Sequence, residues 1–138
     1  MKDTLTPEDR AAMVSYRLER AFQTLEEAQY TADGQYYNTA INRLYYSCFY
    51  AASALLLKHH IDCSSHAGVK NQFSLHFIQT GLIDKKYGST LRQLFDSRQS
   101  GDYADFIYCD LPLYEDYKTK AVDFVNAIKN AVDTIDFS

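Results

Sequence analysis

Arg98 is the residue whose type and position most clearly suggest chemistry in this chain of 138 residues. It follows Leu94 at helical spacing, so the pattern predicts a guanidinium on the apolar stripe of a helix. A guanidinium in that place needs a partner or an anion such as phosphate, which it binds with two parallel hydrogen bonds. If the helix continues past Gly101, Asp102 lies four residues on and pairs with Arg98. If Gly101 ends the helix, Asp102 and Tyr103 can line a cleft beside the arginine.

A second group of reactive side chains lies further upstream: His59, His60, Cys63 and His66. Their spacing matches no zinc signature and no second ligand pair follows, so we expect no metal site. The first two histidines suit the carboxyl end of a helix, whose dipole favours positive charge. Cys63 and His66 lack a third group to orient a nucleophilic pair. His76 lies between two phenylalanines, and we assign it no catalytic role.

Local motifs for dinucleotides, P-loop phosphates and zinc proteases are missing from the sequence, and we expect no cofactor. Any ligand would therefore be held by helices and the short segments between them.

Five helices are predicted to position these residues. Their bounds follow from apolar spacing and from cap residues: Thr6-Pro7 to Asp33-Gly34, about Tyr36 to His59, Ala67 to Thr80 with Gly81 as the cap, about Asp84 to Ser100, and a last helix announced by Asp110-Leu-Pro112. Short connections favour antiparallel neighbours. The fold predicted is all-α, an antiparallel up-and-down bundle of four main helices plus a shorter fifth.

The second predicted helix is apolar on two faces. One stripe contains Leu44, Tyr45, Cys48 and Leu55, and a second contains Tyr46, Phe49 and Tyr50. This helix is therefore either central to the bundle or covered on its far side by a partner.

Length and composition indicate a single domain spanning residues 1–138, with only 5 glycines and 2 prolines. Three cysteines without a CxxC pair favour a reducing compartment, so we expect a cytoplasmic protein. The amino terminus has no apolar core of the signal-peptide kind. The longest uncharged run, 44–57, is 14 residues long, too short for a membrane span of about 20 residues.

Charge is unevenly distributed along the chain. Residues 36–100 carry 7 basic and 3 acidic side chains, whereas the segments on either side are acidic. This distribution is either ordinary segregation on a solvated surface or the sign of a local anion site.

Four segments together resemble the HEPN domain family, specifically its UPF0332-like branch: NRLYYSCFYAASALL from Asn42, HAGV from His66, FIQTG from Phe77 and LRQLFDSRQSGDY from Leu91. The resemblance covers residues 36–103, about half of the chain. It implies a helical bundle that commonly dimerises. It also implies a relation to metal-independent ribonucleases, often the toxin half of a two-gene module with a nucleotidyltransferase. Other members are nucleotide-binding or non-catalytic proteins.

The resemblance also implies site residues. Arg98 matches the arginine of the family's catalytic motif, but the positions where a histidine would follow hold Tyr103, Ala104 and Asp105. Asp102 and Tyr103 are the candidates to replace that histidine, with Arg98 as the phosphate-binding group. The expected ligand-binding residues are Asn42, Arg43, Tyr46 and His66.

Three hypotheses follow from this pattern. The protein is a homodimeric ribonuclease toxin that acts on RNA, or a non-catalytic module that binds a nucleotide or a protein, or a bundle in which Arg98 and Asp102 merely pair.

Overall fold

The computed structural model describes the backbone of residues 5–101 and 109–135, and the side chains of residues 5–97 and 109–135. These residues form five α-helices: α1 (Pro7–Asp33), α2 (Tyr37–Lys58), α3 (His66–Phe73), α4 (Lys85–Gly101) and α5 (Leu111–Thr134). The described part of the chain contains no strand. The all-α prediction is confirmed.

Cap residues define the helix ends, as the sequence predicted. The Thr6 side chain accepts a hydrogen bond from the Asp9 amide at the start of α1, and Pro7 occupies the first turn. Asp110 accepts from the Leu113 amide in the same way and begins α5. These bonds satisfy amides that have no partner inside the helix.

The third predicted helix differs from expectation. It begins at His66 rather than Ala67, and its α-helical geometry ends at Phe73. The chain then continues as a π-helical segment, Ser74–Ile78, in which the Gln79 amide donates to the Ser74 carbonyl. Apolar spacing does not distinguish an α-helical from a π-helical turn here, because residues four apart lie on nearly the same face in either geometry. Phe73 and Phe77 are both fully buried.

Successive main helices run in opposite directions. The start of α1 meets the end of α2, where Arg10 donates to the Leu57 carbonyl at 2.7 Å. At the other end of the bundle, the Tyr114 hydroxyl of α5 donates to Gln29 of α1 at 3.1 Å. Helix α2 contacts α1, α3, α4 and α5. It is the central helix, which explains why its first apolar stripe is buried, whereas Tyr46 and Phe49 of the second stripe are only partly buried.

Small side chains let α1 and α5 approach α2 closely. The fully buried alanines of α2 are Ala40, Ala51, Ala52 and Ala54, and α1 contributes Ala21 and Ala28. Large buried rings fill the space between the remaining helices: Tyr45, Phe73, Phe77, Tyr114 and Phe124. No helix in the described residues is long and apolar enough to cross a membrane.

Gly81 adopts a φ angle of 79°, in the left-handed region that L-residues with a side chain rarely occupy. It follows the π-helical segment and donates its amide to the Ile78 carbonyl at 3.0 Å. The sequence predicted this cap.

Replacing Gly81 with alanine should lower the free energy of unfolding by about 1 kcal/mol, because the cost arises from the backbone angle rather than from crowding. A Cβ at this position would meet no atom within 4 Å. Gly81→Asn is the matched control, since asparagine tolerates the left-handed region better and should lose less. Urea denaturation of both variants measures the difference, and equal losses would contradict the backbone explanation.

Candidate functional site

Arg43 lies in the second turn of α2 and is held by three neighbours. Its guanidinium donates to Asn42 Oδ1 at 3.0 Å and lies 3.7 Å from Glu27 Oε1 of α1. The guanidinium carbon is 4.8 Å from the centroid of the Tyr46 ring, one turn further along the helix. Such a cation–π contact contributes about 0.5–1 kcal/mol at an exposed site, so the arginine is positioned before any ligand arrives.

Arg20 of α1 shares the same carboxylate. Its Nη1 is 3.1 Å from Glu27 Oε2, and its guanidinium carbon is 5.6 Å from the Tyr50 ring centroid. The hydrogen bond with Glu27 raises the pKa of Arg20 above its usual value. One carboxylate therefore holds two guanidinium groups, and a net positive charge remains beside the aromatic rings.

His66 begins α3 and lies among aromatic rings of α2. Its Nδ1 is 2.7 Å from the Tyr45 hydroxyl, and its ring stacks on Phe49 at 4.3 Å between centroids. The Tyr46 ring meets it edge-on at 5.5 Å. The Ser65 side chain accepts from the Gly68 amide at 2.9 Å and fixes the start of this helix. We call Arg43, Tyr46, Phe49, Tyr50 and His66 the His66 surface.

Phe95 of α4 lies next to the hydrogen-bond partner of His66. Its ring centroid lies 6.2 Å from that of Tyr45, and Lys70 Nζ of α3 lies 4.4 Å from the Phe95 centroid. Position 98 is three residues, nearly one turn, beyond Phe95 in the register of α4. The backbone of Arg98 is thus in the helix that contacts Tyr45, the hydrogen-bond partner of His66. The Arg98 side chain, Asp102 and Tyr103 lie outside the described residues.

The structure brings the four predicted ligand-binding residues into one chain of contacts. Asn42 bonds to Arg43, Arg43 lies over Tyr46, and Tyr46 contacts His66. Their role in binding stays a prediction.

Sequence reasoning missed several participants in this surface. Tyr45 was assigned to the apolar stripe, although its hydroxyl bonds to His66. Phe49 and Tyr50 were treated only as a second apolar face, and their spacing of three and four residues from Tyr46 could have identified them. Arg20 and Glu27 come from another helix, and no local signal in the sequence indicated them.

The cysteine and histidine cluster does not form a metal centre within the described residues, where no three potential ligands come together. Burial raises the pKa of the Cys63 thiol, which disfavours the reactive thiolate. His76 makes a hydrogen bond with Gln72 Oε1 at 3.0 Å. Among these cysteines and histidines, His66 alone belongs to the His66 surface.

Comparison with known proteins identifies the family to which this helical fold belongs. The sequence model of the HEPN domain matches residues 14–135. A UPF0332 protein of Thermotoga maritima is 30% identical over 127 residues, which cover 92% of this chain and 96% of the relative. The chain belongs to the HEPN domain family, in its UPF0332-like branch.

Two further relatives come from Methanocaldococcus jannaschii, and both are provisionally named as toxins. One is 32% identical over 121 residues, covering 86% of this chain and 87% of the relative. The other is 34% identical over 86 residues, covering 62% of this chain and 58% of the relative. The protein thus resembles toxin-like HEPN proteins.

Replacing Tyr45 with phenylalanine should remove the hydrogen bond that orients the His66 ring and cost about 1 kcal/mol of stability. We expect the imidazole NMR resonances of His66 to shift. Tyr114→Phe is the matched control because it removes the bond to Gln29 at the other end of the bundle. It should cost a similar amount and leave the His66 resonances unchanged. Unchanged resonances in Tyr45→Phe would show that the stack alone orients the ring.

Proposed function

We propose that this protein binds single-stranded RNA on the His66 surface and cleaves it without a metal, as the toxin half of a toxin–antitoxin pair. The observation that carries the proposal is the position of His66, which is hydrogen-bonded to Tyr45, stacked on Phe49 and linked to Arg43 through the Tyr46 ring. Single-stranded nucleic acids are bound by positive grooves with aromatic side chains on which bases stack. The His66 surface combines both features.

Metal-free cleavage of RNA needs two kinds of group. One accepts the proton of the 2′-hydroxyl as that oxygen attacks phosphorus, and another stabilises the charge that develops on the phosphate. We assign the first task to the His66 imidazole and the second to the Arg98 guanidinium. The attack releases the 5′-oxygen, which takes a proton from Tyr103 or from water, and leaves a cyclic phosphate. Asp102 is proposed to orient these groups.

This assignment supplies the histidine that the sequence near Arg98 lacks. Relatives of the catalytic kind place a histidine a few residues after the arginine, where this chain has Tyr103, Ala104 and Asp105. A histidine from the start of α3 can serve the same chemistry because the family site requires a side chain in the cleft, not a particular spacing in the chain.

The cellular setting is proposed from the relatives and from the family resemblance. Relatives provisionally named as toxins support a partner protein that neutralises the activity, and we propose a nucleotidyltransferase for that role. We also propose a cytoplasmic homodimer formed by a single domain, with the α4 motifs of both copies near one cleft.

A non-catalytic binding module is the second candidate. It is favoured by the missing histidine after Arg98 and by the several contacts that already hold His66. Such a module would bind RNA or a nucleotide on the same surface without turnover.

Cleavage of a short labelled RNA in excess EDTA should fall at least about 100-fold in Arg98→Ala, because a lost charge-stabilising group typically costs that much. His66→Phe keeps an aromatic ring for stacking but removes the proton acceptor. We expect it to lose cleavage and retain RNA binding. His66→Ala should weaken both. Lys129→Ala, in a different pocket that includes Pro7 and Lys58, is the control and should behave like wild type.

Each result distinguishes the two candidates. RNA binding without cleavage in wild type would establish the non-catalytic module. Cleavage that survives in both Arg98→Ala and His66→Phe would show that the active site lies elsewhere.

A further inference from the structure

A second basic pocket lies between α3, the π-helical segment and α4. It has a volume of about 280 Å³, and its walls include Lys70, Lys85 and Arg92. Ser74 and Ser89 add two hydroxyl groups. Within the described residues, no carboxylate lines this pocket.

The three cations of the pocket differ from the other basic side chains. Lys and Arg number 14 in the chain, and the side chains of all but Lys2 and Arg98 are described. Nine of these twelve make a hydrogen bond or an ion pair with a protein group. The remaining three, Lys70, Lys85 and Arg92, make no hydrogen bond and no ion pair with any described group. All three line this pocket.

Helical register explains how three cations converge. Lys85, Ser89 and Arg92 lie at intervals of four and three residues and so share one face of α4. Lys70 reaches the pocket from α3, on the opposite wall. The floor is apolar because Phe73 and Leu91 are buried beneath it. Three uncompensated positive charges above an apolar floor attract an anion that carries a flat or apolar group.

Lys70 links this pocket to the His66 surface. It lies four residues after His66 on α3, hence on the same side of that helix, and its Nζ contacts the Phe95 ring. Phe95 in turn contacts Tyr45. An RNA strand on the His66 surface would therefore reach the pocket with a neighbouring nucleotide.

We infer that the pocket between α3 and α4 is a phosphate subsite, formed by Lys70, Lys85 and Arg92, that holds a backbone phosphate of RNA flanking the one at the His66 surface. The inference rests on the proposed RNA binding for its ligand. The volume is near the lower limit of small-molecule sites and suits one phosphate with its sugar rather than a larger ligand. Ser74 and Ser89 can donate to the phosphate oxygens.

The test is the salt dependence of RNA binding by Lys85→Ala/Arg92→Ala. Both side chains are exposed, so the fold should not change. Affinity for a 12-nucleotide RNA of mixed sequence should fall about 10-fold at low salt. The slope of log affinity against log salt should decrease by about 0.7 for the lost phosphate contact with a single strand. Lys120→Ala/Lys129→Ala removes the same charge from α5 and should keep the wild-type slope.

The same set of proteins separates failure of the subsite from failure of the proposed function. If wild type binds RNA and the two double variants bind it with equal affinity and equal salt dependence, the subsite is wrong and RNA binding stands. If wild type does not bind RNA, inorganic phosphate and a nucleoside monophosphate become the probes, followed through the amide NMR signals of Gly88 and Ser89. Saturable shifts in wild type that vanish in Lys85→Ala/Arg92→Ala would show an anion site that takes a free nucleotide. If wild type shows no shifts with either probe, the anion site is wrong.

Discussion

The close packing of α2 against α1 and α5 is the constraint on which the rest of the structure depends. Fully buried alanines on α1 and α2 have no bulky side chain to hold the helices apart, and α2 contacts four other helices, so it is surrounded over much of its circumference. The partly buried rings of α2, Tyr46, Phe49 and Tyr50, therefore lie on its remaining face. Because a helix covered by neighbours cannot rotate without breaking its core, the orientation of this aromatic face is set by alanines on the opposite side.

Electrostatics on that face follow from the same packing. Glu27 of α1 lies within ion-pair distance of Arg43 because α1 and α2 are close together, and it also pairs with Arg20 on its own helix. Exposed ion pairs of this kind contribute little to stability, so their effect is mainly to hold two long side chains in place. Positive charge is thereby concentrated beside flat rings, whereas Lys120 and Lys129 on α5 are each paired with an aspartate on their own helix.

Helices were predictable from the sequence because their signals are local. Thr6 and Pro7, or Asp110 and Pro112, mark a helix start whatever surrounds them, and Gly81 marks an end in the same way. The contacts of Arg43 with Asn42 and Tyr46 are local too, and those residues were chosen from the sequence. The bond between Tyr45 and His66 joins residues 21 positions apart, so it depends on how α3 packs on α2. No spacing rule contains that information, and for the same reason the convergence of Lys70 with Arg92 was not foreseen.

The π-helical segment has a consequence for the length of the chain. Its turn takes up one more residue than an α-helical turn, as the bond from Gln79 to Ser74 shows. Removing a single residue from 74–76 would let this turn return to α-helical geometry, and the residues after it would keep roughly their direction relative to α3, because the residue lost is the extra one of the wider turn. The same deletion within the α-helical His66–Phe73 would instead rotate the residues after it by roughly 100°. The π-helical turn is accordingly the place in this stretch of the chain where a change in length disturbs the packing of Phe77 and the Gly81 turn least.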